Sequence, residues 1–133
     1  FHTSGNDSCH VILRGGSRTG PNYDREHVSE VCARLAKNRL HETVMIDCSH
    51  GNSLKDHTRQ KVAAAAICEQ VAGGSWQVFG AMLESHLVEG RQDYVPGRPA
   101  VYGQSITDAC ISLEQTERLL ELFAEAQLKR GGL

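Results

Sequence analysis

Thr43-Val44-Met45-Ile46-Asp47-Cys48-Ser49-His50-Gly51-Asn52-Ser53 begins as an apolar run and turns polar only toward its carboxyl end. A short run without alternation suits a strand buried on both faces, as in a parallel sheet, better than a half-solvated antiparallel strand. Two further runs share the form. His10-Val11-Ile12-Leu13-Arg14 lies before it and closes on Gly15-Gly16; Gln77 to Glu84 lies after it and ends at a carboxylate.

The segments between the runs have helical period. Asp24 is placed to cap a helix whose apolar positions Val28, Val31, Cys32 and Leu35 follow i, i+3, i+4, i+7 spacing. A second helix is expected from Asp56 to Val71, with Ala63 to Ala66 as a core stretch and Gly73-Gly74 as its stop. A third is expected from Leu113 to Lys129, with Leu119, Leu120, Phe123 and Ala124 on its buried stripe and Gly131-Gly132 after it. A polar loop carrying Pro96, Gly97, Pro99 and Gly103 separates the third run from this helix. Strand and helix therefore alternate three times, and helical crossovers make the strands parallel, adjacent and ordered as in the sequence. Two α/β architectures compete: a small open sheet, and three βα units of a (β/α)8 barrel. Three strands alone leave two bare edges and a thin core, whereas a full barrel takes about 250 residues.

Charge and composition exclude more than they assign. A net charge of −2 and a pI near 6.4 give no electrostatic reason to expect nucleic acid or an anionic membrane as partner. No apolar run approaches the roughly 20 residues that span a bilayer. Phe1-His2-Thr3-Ser4-Gly5-Asn6 has neither a basic nor an apolar leader region, and no initiator Met precedes it, so an interior cut is the expectation. The five cysteines, Cys9, Cys32, Cys48, Cys68 and Cys110, are odd in number, widely spaced and free of CxxC pairs. Reduced, mostly buried thiols in a cytoplasmic protein follow.

Each run ends in a residue suited to chemistry: Arg14, His50 and Glu84. Strand alternation would put Ile12, Cys48 and Met82 on the same side as these three. Plain alternatives stand beside the functional ones. Arg14 is either a surface arginine or an anion fork, with Gly15-Gly16 opening backbone N–H groups to a phosphate. His50 can be a loop or helix-capping histidine, Glu84 an ordinary strand-end carboxylate, and Asp108 of Ser105-Ile106-Thr107-Asp108 a turn residue. Taken together, His50, Glu84 and Asp108 suit one divalent metal; an imidazole and two carboxylates favour manganese, iron, cobalt or zinc over calcium. His86 is assigned a structural or supporting role, and His2, His10, His27, His41 and His57 carry no ligating spacing.

Longer motifs identify a resemblance. Gly5 to Gly16 (GNDSCHVILRGG) with Pro21-Asn22-Tyr23, Val44 to Ser53 (VMIDCSHGNS), Gly80 to Gly90 (GAMLESHLVEG) and Tyr102 to Ile111 (YGQSITDACI) stand in order along the chain. They resemble the motifs of class I 3-deoxy-D-arabino-heptulosonate-7-phosphate (DAHP) synthases over essentially its whole length. The resemblance implies the last three βα units of a TIM barrel, with residues 1–133 the carboxy-terminal segment of one barrel domain. It implies condensation of phosphoenolpyruvate with erythrose 4-phosphate and water, the entry step of the shikimate pathway to aromatic amino acids. His50, Glu84 and Asp108 match three of the family's four metal ligands, with His50 and Asp108 also catalytic, and Arg14 matches an arginine on the phosphoenolpyruvate phosphate. The resemblance further implies that a divalent metal, Mn2+ foremost, would polarise the aldehyde for attack by C3 of phosphoenolpyruvate, with water adding at C2 and phosphate departing. The family's fourth ligand, a cysteine of a GPCSxHD-type motif, has no counterpart here, and Cys48 does not occupy its motif position. Further implied partners are the remaining amino-terminal part of the barrel and other copies of the complete chain in a homo-oligomer. Two other functions remain open: an inactive metal- or phosphate-binding or assembly module, and an unrelated small α/β metal enzyme.

Overall fold

The computed structural model describes residues 1–6 and 8–131; Gly132 of the expected helix stop lies outside them. The three apolar runs form β1 (Val11–Leu13), β2 (Val44–Asp47) and β3 (Val78–Met82). They make one parallel sheet in the order β1-β2-β3, as the crossovers require. Helix α1 (Arg25–Lys37) returns the chain from β1 to β2, and α2 (Gln60–Ala72), preceded by a 3-10 turn at His57–Arg59, returns it from β2 to β3. Asp24 does cap α1, its side chain accepting from the backbone N–H groups of Glu26 and His27.

The core lies between the helices and one face of the sheet. Leu13, Val44, Ile46 and Val78 from the strands meet Val28 and Cys32 of α1 and Ala63, Ala64 and Ile67 of α2. Each fully buried Val or Ile in this layer contributes about 1.5–3 kcal/mol relative to exposure. The opposite face is bare: Ile12 is 40% exposed and Met82 39%. Phe79 is the extra residue where the β2–β3 register slips, and it packs edge-on against His10 with ring centroids 5.2 Å apart.

Several expectations change. Cys48 does not share a side with Met82; Asp47 pairs with Met82, and Cys48 lies beyond the strand in the helix-side core. The chain leaves strand geometry after Asp47, so simple alternation cannot be extended to Cys48. Within Ala63 to Ala66, only Ala63 and Ala64 are buried. On the last helix, α3 (Leu113–Arg130), Leu120 and Ala124 are exposed, and the buried positions are Leu119 and Ala126, with Phe123 half-buried. That helix packs mainly on α2, which selects a narrower stripe.

The polar loop is also more structured than its composition suggests. It contains β4 (Ser85–His86), β5 (Val88–Arg91), β6 (Gln104–Ser105) and β7 (Ile111–Ser112). Here β4 pairs with β7 and β5 with β6, both parallel. The helix α3 therefore follows β7, a fourth short strand, and starts with a capping box between Ser112 and Gln115. Gly90 and Cys110 bond reciprocally through their main chains, 2.8 and 3.2 Å, which brings the Asp108 segment back beside Glu84.

Candidate metal centre

The carboxyl ends of the three strands β1, β2 and β3 and the turn before β7 surround an open cleft of about 650 Å³. Arg14, His50, Glu84 and Asp108 all line it. The structure brings His50, Glu84 and Asp108 into one cluster, with one ligand atom from each within 4.8 Å of the others. Arg14, exposed, borders the same cleft together with Gly15 and Gly16.

Two buried amides hold these ends in place. Asn52, fully enclosed, donates from Nδ2 to the carbonyls of Leu13 (3.0 Å) and Asp47 (2.8 Å) and accepts from Asn22 N–H (2.8 Å). It thus ties the end of β1 to the end of β2. Gln60, at the start of α2, grips the Glu84 main chain from both sides: its Nε2 donates to Glu84 O at 3.0 Å and its Oε1 accepts from Glu84 N–H at 2.9 Å. Ile111 N–H donates to the same carbonyl at 3.0 Å. Glu84 is therefore anchored to α2 on one side and β7 on the other, which leaves little freedom for its Cα. Unpaired, any of these buried groups would cost about 1–3 kcal/mol.

His50 sits in the left-handed region at φ +51°, a conformation found where surrounding structure over-determines a residue. This turns its ring back over the strand end. Its Nδ1 lies 2.7 Å from Asp47 Oδ2 and 2.8 Å from Ser49 Oγ, while Nε2 faces Glu84 Oε1 at 3.5 Å. Burial pushes the Glu84 carboxyl above its usual range; the nearby His50 pulls it down and Asp108 pushes it further up. Two carboxylates held near one another without a cation favour a proton on one of them, and a bound cation relieves that conflict. The chemistry of the donor set fits a divalent transition metal.

Other residues fall away from the cluster. His86 is exposed and its Nδ1 accepts from Leu87 N–H at 2.8 Å. Cys48, whose thiol is pushed up to about 12 by burial and by Asp47, faces the core. Spacing gave no hint of His57, which lines the cleft and meets Glu89 at 3.1 Å, nor of Lys55, a second cation on its wall. Asp47, Asn52 and Gln60 were equally hidden. The one available signal was an acid, Asp47, set inside an otherwise apolar strand three residues before a histidine.

Comparison with known proteins follows the same lines. The chain is 52% identical over 128 residues to phospho-2-dehydro-3-deoxyheptonate aldolase of Haemophilus influenzae, covering 96% of this chain and 35% of that protein. It is 50% identical over 131 residues to the Phe-sensitive enzyme of that name from Escherichia coli K12, covering 98% of this chain and 37% of that one. A solved structure of the phospho-2-dehydro-3-deoxyheptonate aldolase of Francisella tularensis SCHU S4 superposes with a TM-score of 0.90 at 51% identity, over 98% of this chain and 37% of that one. The chain thus spans little more than a third of the length of these relatives, and no helix among its described residues is long and apolar enough to cross a membrane. With residues 1–121 matched by its family model, the chain belongs to the DAHP synthetase I family.

Proposed function

We propose that this chain is the carboxy-terminal, metal-holding part of a TIM-barrel DAHP synthase that condenses phosphoenolpyruvate with erythrose 4-phosphate. The last βα units of the barrel, a cytoplasmic location and assembly with the rest of the barrel belong to the same reading. The observation that carries it is the convergence of His50, Glu84 and Asp108 within 4.8 Å on the cleft that Arg14 also borders. These residues come from separate strand ends and from a distant loop, the end of a parallel barrel where active sites gather.

In this proposal His50, Glu84 and Asp108 hold the divalent ion, with Mn2+ the first candidate. When bound, the ion supplies Lewis-acid polarisation of a substrate carbonyl. Arg14 presents a planar guanidinium to the phosphate of phosphoenolpyruvate, and the Gly15-Gly16 turn lets the backbone approach closely. Asn52 and Gln60 fix the spacing between these groups, so that two substrates are held in one orientation. The test is made in the full-length protein. His50→Ala and Glu84→Ala should lose both bound metal, by elemental analysis, and activity; Asp108→Ala should lose most of each. Arg14→Ala should keep the metal and raise the KM for phosphoenolpyruvate. Retention of stoichiometric metal and turnover by His50→Ala would sink the assignment.

A further inference from the structure

We infer that Asp47 is a positioning residue that fixes the tautomer of His50 and thereby sets how tightly the cleft holds its metal ion. The inference rests on the metal-site reading above and assigns a role to a residue that reading leaves unused.

Asp47 is almost fully enclosed, with 2% of its surface exposed, at the last position of β2. A carboxylate only accepts hydrogen bonds, and this one has three donors within reach. Ser49 N–H donates to Oδ1 at 2.8 Å, Ser49 Oγ reaches the same oxygen at 2.5 Å, and His50 Nδ1 lies 2.7 Å from Oδ2. Ser49 must spend its hydroxyl proton on Asp47, so toward His50 Nδ1, 2.8 Å away, its oxygen can only accept. Both neighbours of Nδ1 are then acceptors, and Nδ1 must carry the proton. In the neutral ring that leaves the lone pair on Nε2, the atom that faces Glu84 at 3.5 Å. The positive φ of His50 is what allows one ring to touch a buried carboxylate three residues back and the cleft in front. A carboxylate behind a ligating imidazole fixes both the tautomer and the orientation of the ring.

Gln60 and Asn52 also support the site, but they bond main-chain atoms and act on position alone. Asp47 is the buried acid whose partner is the ligand ring itself.

The experiment uses the full-length protein with Mn2+ as probe, free Mn2+ being counted by electron paramagnetic resonance. Asp47→Asn keeps the shape but can turn an N–H toward Nδ1, which favours the proton on Nε2. Mn2+ affinity should fall roughly 10–100-fold, with kcat at saturating Mn2+ largely recovered. A merely structural aspartate would lower the melting temperature and leave Mn2+ affinity alone, and that result overturns the inference. His50→Ala separates the two levels. If it loses Mn2+ while Asp47→Asn binds as wild type, only the inference fails; if it binds Mn2+ as wild type, the site reading fails and takes the inference with it. Should Asp47→Asn not fold, the imidazole 15N shifts of His50 in the metal-free wild type decide, at a pH where the ring is neutral. A protonated Nδ1 supports the assignment, and a proton on Nε2 with a bare Nδ1 overturns it.

Discussion

Gly51 has no room for a methyl group. A Cβ there would stand 2.5 Å from Gly16 N, 2.6 Å from Gly15 C and 3.0 Å from Arg14 O, all main-chain atoms that cannot swing aside. The turn after β2 is thus packed directly on the turn after β1, so the loop bearing His50 and the loop bearing Arg14 are set against each other by bare backbone. Gly51→Ala should destabilise the full-length protein by about 1–3 kcal/mol, as overpacking does. It should also weaken Mn2+ and phosphoenolpyruvate binding together, because the two loops separate. Urea unfolding and separate titrations with Mn2+ and phosphoenolpyruvate check both halves; stability lost with both affinities intact would show that the contact is only structural. Asn52→Ala acts at the same junction by another route. It strips partners from Leu13 O, Asp47 O and Asn22 N–H, and at about 1–3 kcal/mol for each buried group left unpaired it should be the more severe of the two.

Helix α1 shows what an element contributes and how pH acts on it. Asp24 caps it through bonds from Glu26 N–H and His27 N–H, and its Oδ2 also meets His27 Nδ1 at 2.6 Å. Partial burial pushes the Asp24 carboxyl up, but the hydrogen bonds from His27 and its charge outweigh that, and the net shift is down from 3.8. A carboxylate whose folded value is depressed gives stability that is present above its unfolded value and lost as pH falls through the folded one. Asp24→Ala should therefore lower stability by about 1 kcal/mol near neutrality, and the gap to wild type should close as pH drops below the usual carboxylate range. A gap that stays constant down to strongly acid pH would refute the charged cap. The same helix was legible beforehand, because its cap and its stripe are local patterns. So were the three parallel strands, though not that one face of their sheet is bare, and the strand-end residues Arg14, His50 and Glu84, since apolar runs that turn polar mark where a parallel strand ends. The short strands between Ser85 and Ser112 were not legible. Their pairing is made by main-chain bonds between distant polar segments, which no period records. Gln60, Asn52 and Asp47 were missed for a related reason: an amide or acid near a turn reads as solvated, and only tertiary packing buries it.

At the scale of the whole molecule, helices among the described residues cover the sheet on one face only. Parallel sheets are normally buried on both, yet here Ile12, Phe79 and Met82 stand 40, 49 and 39% exposed on the uncovered side. The cleft above them is lined by two Lys or Arg side chains, Arg14 and Lys55. Relatives nearly three times as long supply sequence that this chain does not contain. The isolated 133-residue chain should accordingly self-associate or bind a hydrophobic dye through its open face, and should show no turnover. Sedimentation and dye fluorescence test the first expectation. For the second, the pure chain is incubated with Mn2+, phosphoenolpyruvate and erythrose 4-phosphate, and phosphate release is followed. Release that depends on both the metal and the aldehyde would show that three βα units and a three-residue cluster suffice. Silence from the chain alone, with activity in the full-length protein that vanishes on His50→Ala, would place the chemistry in the joint between this chain and the rest of the full-length protein.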